Sequence, residues 1–254
     1  MNISTIGIIA AMPEEVNPLL KRIGIYQREK RESFELFRFG LDVKKIVLVR
    51  SGMGAKHAAR ATRFLIKTAS PDIIINFGFA GAVTAGPRVG DLVLADQVFS
   101  YDGTRFRKEA MPSAELVNRM HCLVRQQASA ENNIYRSSFI TTLKITGKST
   151  LAKALPKNCP YPALEMESAA VAAAAVEAGI PFAAMRAISD AAEEELGFSL
   201  EEFTDSEMNI KMTRILVTVA KKPWIIPQLL RLARNSNAAG KSLAIGVEAF
   251  LRAM

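Results

Sequence analysis

The sequence predicts a three-layer α/β/α protein, in which helices cover both faces of a central mixed, mostly parallel sheet. Short apolar segments alternate with helical patterns along the whole chain. Hydrophobic residues make up 49% of the 254 residues and charged residues 23%, which allows a substantial core and excludes a disordered chain. No linker-like stretch and no internal repeat interrupts the pattern, so residues 1–254 are expected to form a single domain.

The N-terminal half predicts four strands and two helices. Thr5 to Ala10 is apolar, and Pro13 after it fits the first turn of a helix. Gly40 and Asp42 lie in the turn of a predicted hairpin. The predicted strands are residues 5–10, 33–39, 43–49 and 71–76. A glycine turn at 51–54 follows the third strand, and a turn of small residues at 77–82 follows the fourth. One predicted helix begins at Pro13, and the other spans residues 55–68.

The C-terminal half predicts an alanine-rich helix between two short strands. Residues 166–178 form a strong helix pattern that stops at Gly179, a natural helix terminator. Residues 180–188 are apolar and small, as in a buried parallel strand. The remaining predicted elements are a strand from 90–95, a helix over 114–127 and a strand over 163–165.

Acidic residues follow several of these strands. If the strands are parallel, Glu15, the turn at Gly78, the pair Glu165 and Glu167, and Asp190 meet at one edge of the sheet. That edge is where open α/β sheets bind ligands. Acids that converge at this edge indicate a substrate that carries hydroxyl groups and an atom that can be protonated.

Composition excludes several other classes. The two cysteines, Cys122 and Cys159, have no metal-like spacing and form no framework of disulfides, which favours a reducing, cytoplasmic location. No signal peptide and no membrane-spanning run is predicted. His57 and His121 lie in helical patterns and are expected to be structural, so no metal site is inferred. The glycine turns do not match nucleotide-triphosphate or NAD motifs, and no cofactor is expected.

The net charge of +8 is concentrated near the C-terminus. From residue 211 onward there are eight basic residues and one acid, Glu248, so this part carries +7. The basic residues are Lys211, Arg214, Lys221, Lys222, Arg231, Arg234, Lys241 and Arg252. Such a segment is either a solvated helix face or a surface that attracts phosphates, nucleic acid or an anionic membrane.

Six segments, taken in order, resemble the purine nucleoside phosphorylase/nucleosidase family, and the bacterial methylthioadenosine/S-adenosylhomocysteine nucleosidases in particular. They are residues 6–16 (IGIIAAMPEEV), 51–54 (SGMG), 76–81 (NFGFAG), 165–167 (EME), 186–190 (RAISD) and 200–203 (LEEF). The resemblance covers about residues 5–220. It implies cleavage of the N-glycosidic bond of a purine nucleoside, without metal or organic cofactor and without nucleic acid as a partner.

The resemblance also implies roles for the three acids. Asp190 is the expected general acid that protonates N7 of the departing purine. Glu167 is expected to bind the ribose hydroxyls and to stabilise positive charge on the sugar. Glu15 is expected to orient and deprotonate the attacking water. The expected substrate-binding residues are Met166, Glu165, Gly78, Phe79, Ser189, Arg186 and Phe203.

Each acid also has a purely structural interpretation. Glu15 could be a first-turn charge of its helix, and Asp190 a helix N-cap. Glu167 could face solvent in a first helical turn, and Glu165 could pair with backbone or with Arg186.

The sequence departs from the family pattern at three places within the resemblance. Phe79 replaces a small hydroxyl residue, and residues 140–144 (ITTLK) replace a Ser-Gly-Asp segment with a base-framing aromatic, with Lys144 at the aromatic position. Asp190 still favours an adenine-like base. Phosphorolytic relatives hold phosphate with arginines near the glycine turns. In this sequence Arg50 is the only arginine near those turns, so hydrolysis is favoured over phosphorolysis. Three further arginines are open as phosphate ligands: Arg88, Arg105 and Arg107.

The last departure is a basic helical C-terminal extension, residues 221–254, that is similar to the tails of hopanoid-associated phosphorylases. Those enzymes release adenine from adenosylhopane, so phosphorolysis of a bulky or lipid-linked adenosine, with inorganic phosphate as co-substrate and peripheral membrane contact, is an alternative function. Trp224 would then face a bilayer, whereas in an ordinary packed helix it would anchor the core. A non-catalytic nucleoside-binding module is a third alternative. The family resemblance also implies a homo-oligomer.

Overall fold

The computed structural model describes residues 3–127, 132–144, 146–156, 159–194, 218 and 221–254. Ten strands lie within them. They are β1 (Thr5–Ala10), β2 (Gln27–Arg31), β3 (Phe34–Leu41), β4 (Lys44–Arg50), β5 (Ile73–Ala82), β6 (Leu92–Tyr101), β7 (Phe106–Lys108), β8 (Ile134–Thr142), β9 (Ala163–Glu165) and β10 (Phe182–Asp190).

The described helices surround this sheet. They are α1 (Pro13–Ile23), α2 (Ala55–Ala69), α3 (Ala114–Gln127), α4 (Lys148–Ala154), α5 (Ser168–Glu177) and α6 (Ile226–Ala253), the last preceded by a 3₁₀ turn at Pro223–Ile225. Their order agrees with the alternation predicted from sequence.

The strands form one mixed sheet in the order β10-β6-β8-β9-β5-β1-β4-β3-β2, and β7 pairs with β6. Because β10 also pairs with β5, strands β5, β10, β6, β8 and β9 close into a ring. Parallel pairing joins β4, β1, β5 and β10, whose carboxyl ends therefore share one edge. Among the described strands antiparallel pairs are as frequent as parallel ones, more than the sequence led us to expect.

Helices cover both faces of the sheet, as predicted. On one face, α1, α3 and α6 pack on a core that includes Leu19 and Phe250. On the other face, α2 and α5 pack on a second core that includes Leu65 and Val171. The fold is a three-layer α/β/α arrangement, which confirms the predicted class.

The direction of β9 differs from the prediction. The sequence predicted that 163–165 and 180–188 run in parallel on either side of the alanine-rich helix. Instead β9 runs antiparallel to the end of β5, with Gly81 opposite Leu164, whereas β10 runs parallel to β5. Glu165 and Glu167 still reach the predicted edge, because β5 extends far enough for β9 to run back along it.

Several element boundaries also differ. The turn predicted at 77–82 belongs to β5, because backbone pairing with β10 continues through it. The alanine-rich helix starts at Ser168 rather than at 166, with Glu167 as its N-cap. Strands β2, β7 and β8 and helix α4 were not predicted.

The C-terminal segment divides into two parts. From Ala239 onward, α6 is integral to the first core, and its side chains Leu243, Val247 and Phe250 are buried. Before it, Trp224 is 68% exposed and Leu230 67% exposed. The interpretation of Trp224 as a core anchor is therefore wrong.

Candidate active site

Glu15 is held in the site by backbone hydrogen bonds. It lies in the first turn of α1, just past the end of β1, and it is buried. Its Oε2 accepts hydrogen bonds from the backbone N–H groups of Ala11 (2.8 Å) and Met12 (2.9 Å), and its Oε1 accepts one from Phe79 (2.9 Å). Burial raises the pKa of Glu15 above its ordinary value, and Arg186 and these backbone donors offset only part of the rise. A buried carboxylate with a raised pKa is suited to accept a proton.

Gly78 makes this placement of Glu15 possible. A Cβ atom added at Gly78 would lie 2.6 Å from Oε1 of Glu15 and 3.1 Å from its Cδ, so any larger residue displaces the carboxylate. We expect Gly78→Ala to lower kcat for glycosidic cleavage by about 10²-fold, since misplacing a reacting group by about 1 Å costs on that order. Steady-state kinetics on methylthioadenosine measures the loss.

Gly40 offers the matched control for this substitution. It lies on β3, and an added Cβ would meet nothing closer than a backbone oxygen at 3.8 Å. Gly40→Ala should leave kcat unchanged. Equal kinetics for the two variants would contradict the assigned role of Gly78.

Glu167 lies beside Glu15 as the N-cap of α5. Its Oε1 accepts a hydrogen bond of 2.8 Å from the backbone N–H of Gly54, in the turn between β4 and α2. Its Oε2 is 3.8 Å from Nη2 of Arg186. Burial, followed by the negative charge of Glu165, raises the pKa of Glu167 to about 7.

This raised pKa predicts a pH dependence of activity and of stability. If Glu167 acts as an anion, kcat/KM for methylthioadenosine should rise with pH through an acidic limb with a midpoint near 7.

The same shift affects stability, because the pKa of Glu167 in the folded protein lies above its ordinary value of 4.5 and ionisation of Glu167 is disfavoured there. Stability linked to Glu167 is therefore fully present at low pH and declines as the pH rises toward 7.

Glu167→Gln provides the comparison. The difference in Tm between this variant and the original protein should change between pH 4.5 and 7, with Glu167 the more favourable residue at low pH. An acidic limb centred near 4.5, or a Tm difference that is independent of pH, would contradict the shift.

Beneath these two acids lies a buried ion pair. Arg186, 1% exposed, donates from Nη2 to Glu165 (2.6 Å), to Oδ1 of Asn76 (2.7 Å) and to Oγ of Ser168 (2.9 Å). Its guanidinium also lies over the ring of Phe139, 5.7 Å from the centroid. Arg186 is thus the positive charge at the centre of three buried glutamates.

Glu165 is the ionised partner in this pair. Burial alone would raise its pKa, but Arg186, the Thr141 hydroxyl and the backbone N–H groups of Glu167 and Ser168 bring the pKa below its ordinary value. Both side chains of the pair are at most 1% exposed. The substrate contact predicted for Glu165 and Arg186 is therefore replaced by a supporting role, in which they hold the backbone and charge of Glu167.

Asp190 lies at the end of β10, beyond Glu15 along β5. A Cβ atom added at Gly78 would meet Glu15, and one added at Gly81 would meet Asp190. The two glycines are three residues apart on β5, which is about 10 Å along the strand. The pairing register of β10 with β5 shifts between Ile188 and Asp190, and such bulges redirect side chains. Oδ1 of Asp190 accepts a 2.7 Å hydrogen bond from the hydroxyl of Ser189, and its side chain is 26% exposed. The alternative interpretation of Asp190 as a helix N-cap is not seen in the described part of the chain, where Asp190 is the last residue of β10.

The other predicted substrate-binding residues are placed unequally. Met166, between Glu165 and Glu167, is partly exposed. Phe79 contributes its backbone N–H to Glu15, while its ring packs on the first core toward α6. Phe203 and the segment 200–203 lie outside the described residues.

Two of the four candidate phosphate ligands, Arg50 and Arg107, pair with glutamates, and Arg88 donates its backbone N–H to Asp91 (2.8 Å). Arg50 pairs with Glu35 on the neighbouring strand at 2.5 Å, and Arg107 pairs with Glu109 at 2.8 Å. The backbone of Arg105 closes an exposed turn on Asp102. None of these described contacts joins one of the four arginines to Glu15, Glu167 or Asp190, which favours water over phosphate as the nucleophile.

Two groups of the site were not predicted. Asn76 ties the site to β1, because its Nδ2 donates to the carbonyl of Ile9 (3.1 Å) while its Oδ1 accepts from Arg186. Lys144, expected near the base, is exposed, whereas Lys148 at the start of α4 is buried against Asp190.

Among the described residues no group of three or more His, Cys, Asp or Glu side chains could hold a metal ion.

The family model described as the phosphorylase superfamily matches residues 5–221, which are most of the chain and include Glu15, Glu165, Glu167 and Asp190. This chain is a member of the phosphorylase superfamily. Among curated members, the 5'-methylthioadenosine/S-adenosylhomocysteine nucleosidase of Actinobacillus succinogenes is 32% identical over 208 residues, covering 78% of this chain and 90% of the relative. Proteins of the superfamily with that name are enzymes, and the chain is one of their homologues.

Solved structures of the superfamily share the fold. The Neisseria meningitidis 5'-methylthioadenosine/S-adenosylhomocysteine nucleosidase in complex with methylthio-immucillin-A superposes with a TM-score of 0.75 at 20% identity, covering 99% of this chain and 100% of the other. The S. pneumoniae nucleosidase with the transition-state inhibitor MT-ImmA gives a TM-score of 0.72 at 25% identity, covering 98% and 99%. The matched span reaches the C-terminal helix, so α6 belongs to the shared fold.

Proposed function

We propose that this protein hydrolyses the N-glycosidic bond of an adenine nucleoside of the 5'-methylthioadenosine or S-adenosylhomocysteine type. The observation that carries the proposal is the joint placement of Glu15 and Glu167 around Arg186, with Asp190 at the adjoining strand end. The homologous nucleosidases support the substrate class.

Departure of the base requires a proton. Asp190 takes up a proton from solvent and transfers it to N7 of the purine as the bond between C1' and N9 breaks, and the bonding electron pair moves into the ring system. This step leaves Asp190 as a carboxylate. Adenine then leaves as a neutral molecule. A positioned acid of this kind contributes about 10²- to 10⁴-fold to the rate.

The sugar passes through a cationic state that Glu167 stabilises. Oε1 of Glu167 is held by Gly54, so Oε2 is the oxygen that accepts hydrogen bonds from the ribose hydroxyls. Its negative charge lies next to the developing positive charge on the sugar. Glu15 orients a water molecule and takes its proton while the water oxygen bonds to C1'. Oε1 of Glu15 accepts one backbone hydrogen bond and has a second acceptor position left for this water, whereas Oε2 already accepts two.

The test separates hydrolysis from phosphorolysis. Purified protein is incubated with methylthioadenosine, with and without inorganic phosphate, and the sugar product is identified by mass spectrometry. We expect adenine and free methylthioribose at the same rate in both conditions. A sugar 1-phosphate that forms only with phosphate would replace hydrolysis by phosphorolysis, and the absence of adenine release would overturn the proposal.

Phosphorolysis of a bulky or lipid-linked adenosine is the second candidate function, and it is favoured by the exposed start of α6. Trp224, Ile226 and Leu230 are exposed apolar side chains in a stretch that also carries basic residues. Those basic residues are Lys221, Lys222, Arg231 and Arg234. Large exposed apolar groups among cations suit an anionic membrane surface.

Vesicle sedimentation tests this candidate. Binding to phosphatidylglycerol vesicles that is lost at high salt and in Trp224→Ala supports membrane contact, whereas equal recovery with and without vesicles excludes it. Among the described residues no helix is long and apolar enough to cross a membrane.

We further infer that the protein acts in the cytoplasm as a homo-oligomer, without organic cofactor and without nucleic acid. The chemistry above needs only the nucleoside and water, or phosphate in the second candidate. Both cysteines are free, as the cytoplasm would allow. Light scattering of the purified protein tests the oligomeric state.

A further inference from the structure

Lys148 is a buried cation that the mechanism above does not use. It is the first residue of α4, reached through residues 143–147 after β8, and its side chain is 9% exposed. Its ammonium forms an ion pair with Oδ2 of Asp190. It also donates to the backbone carbonyls of Asp190 (3.2 Å) and Ala191 (2.5 Å).

These three contacts match the bonding capacity of the group. An ammonium has three N–H donors and no acceptor, and here it meets three oxygen atoms at the end of β10. Burial of a lysine is costly unless its charge is paired. The lysine is therefore fixed in one place, and it fixes Asp190 with it.

The strand beside the pair leaves space for it. A Cβ atom added at Gly81 would lie 2.7 Å from Oδ2 of Asp190 and 2.9 Å from Cε of Lys148. The start of α4, the glycine on β5 and the end of β10 thus form one slot for the pair. On the other side of the carboxylate, Oδ1 is bonded only to the Ser189 hydroxyl among its described contacts.

We propose that Lys148 is a positioning residue for cleavage, whose ammonium holds Oδ2 of Asp190 so that Oδ1, the oxygen that takes up the proton for N7, faces the base. This inference rests on the proposed function, because it gives Asp190 the proton transfer to the leaving group. It also places a positive charge near the ring that receives the bonding electrons, where such a charge stabilises the transition state.

The experiment compares two substrates that differ in their need for an acid. Adenine leaves methylthioadenosine only with a proton, whereas 4-nitrophenolate leaves the 4-nitrophenyl riboside of methylthioribose as a stable anion. We expect Lys148→Met to lower kcat for methylthioadenosine by about 10²-fold with a much smaller change in KM. The same variant should cleave the nitrophenyl riboside nearly as fast as the original protein, and Lys148→Arg should restore part of the loss.

Two further variants complete the design. Lys153→Met removes an exposed lysine from the last turn of the same helix and should leave both rates unchanged. If Lys148→Met fails to fold, Gly81→Ala disturbs the same pair from the side of β5, and should show the same selective loss.

The outcomes are distinct. If Lys148→Met lost activity equally on both substrates, Lys148 would have only a structural role, and if its kinetics were unchanged, Lys148 would have no role in cleavage. Either result overturns the inference, while hydrolysis by the original protein stands. If the original protein releases no adenine from methylthioadenosine, the proposed function fails and this inference falls with it.

Discussion

Replacing Asp190 by asparagine is expected to lower kcat/KM for adenine release by about 10²- to 10⁴-fold, the range of a lost general acid. The amide keeps the shape of the side chain and its bond to Ser189, but it has no acidic proton for N7. Steady-state kinetics on methylthioadenosine measures the loss. Cleavage of the nitrophenyl riboside should be much less affected, because that leaving group needs no proton.

A surface aspartate provides the control for this variant. Asp96 pairs with Arg136 at 2.6 Å, and both side chains are 38% exposed. Asp96→Asn should therefore leave the activity unchanged. If Asp190→Asn were as active as this control, Asp190 would not be the acid. Circular dichroism is needed alongside, because the amide also leaves the buried Lys148 without its charge partner.

Replacing Arg186 by methionine is expected to have the largest effect on stability. It leaves the buried carboxylate of Glu165 without its cation, and removing one partner of a buried ion pair costs about 3–5 kcal/mol. It also removes the donor shared with Asn76 and Ser168. Urea unfolding of the two proteins measures the difference in the free energy of unfolding.

Two comparisons define this result. Arg63→Met breaks an exposed pair with Glu177 and should cost no more than about 1 kcal/mol. The double variant Glu165→Met, Arg186→Met removes both charges and should be more stable than Arg186→Met alone. A single variant as stable as the Arg63 control would show that the buried pair does not hold the site together.

Local patterns predicted most of the elements correctly. The apolar run at β1, the proline that opens α1 and the alanine-rich sequence of α5 each depend on residues that are near in sequence. The first strands, the hairpin of β3 and β4, and helices α2 and α3 are confirmed within a few residues. Strand β2 was missed because its five residues, QREKR, are charged or polar and show no apolar alternation.

The candidate site could be predicted only in part. Glu15 and Glu167 come together as expected, since each follows an element that ends at the shared edge. The supporting role of Glu165 and Arg186 was open in the sequence, because burial of a charged pair depends on what surrounds it. Lys144 was named from its position in the family pattern, and Lys148 was not predicted, because nothing local distinguishes a lysine that faces solvent from one that turns inward.

Which segments become strands and helices, and which acids stand at their ends, can be predicted from neighbouring residues, because those properties are local. The direction of β9 and the partner of each charge depend instead on contacts between distant parts of the chain. Glu167 accepts a hydrogen bond from the N–H of Gly54, which is 113 positions away in the sequence. Lys148 donates to the backbone carbonyl of Asp190, which is 42 positions away. Contacts of that range depend on how the sheet closes on itself, which no local pattern encodes.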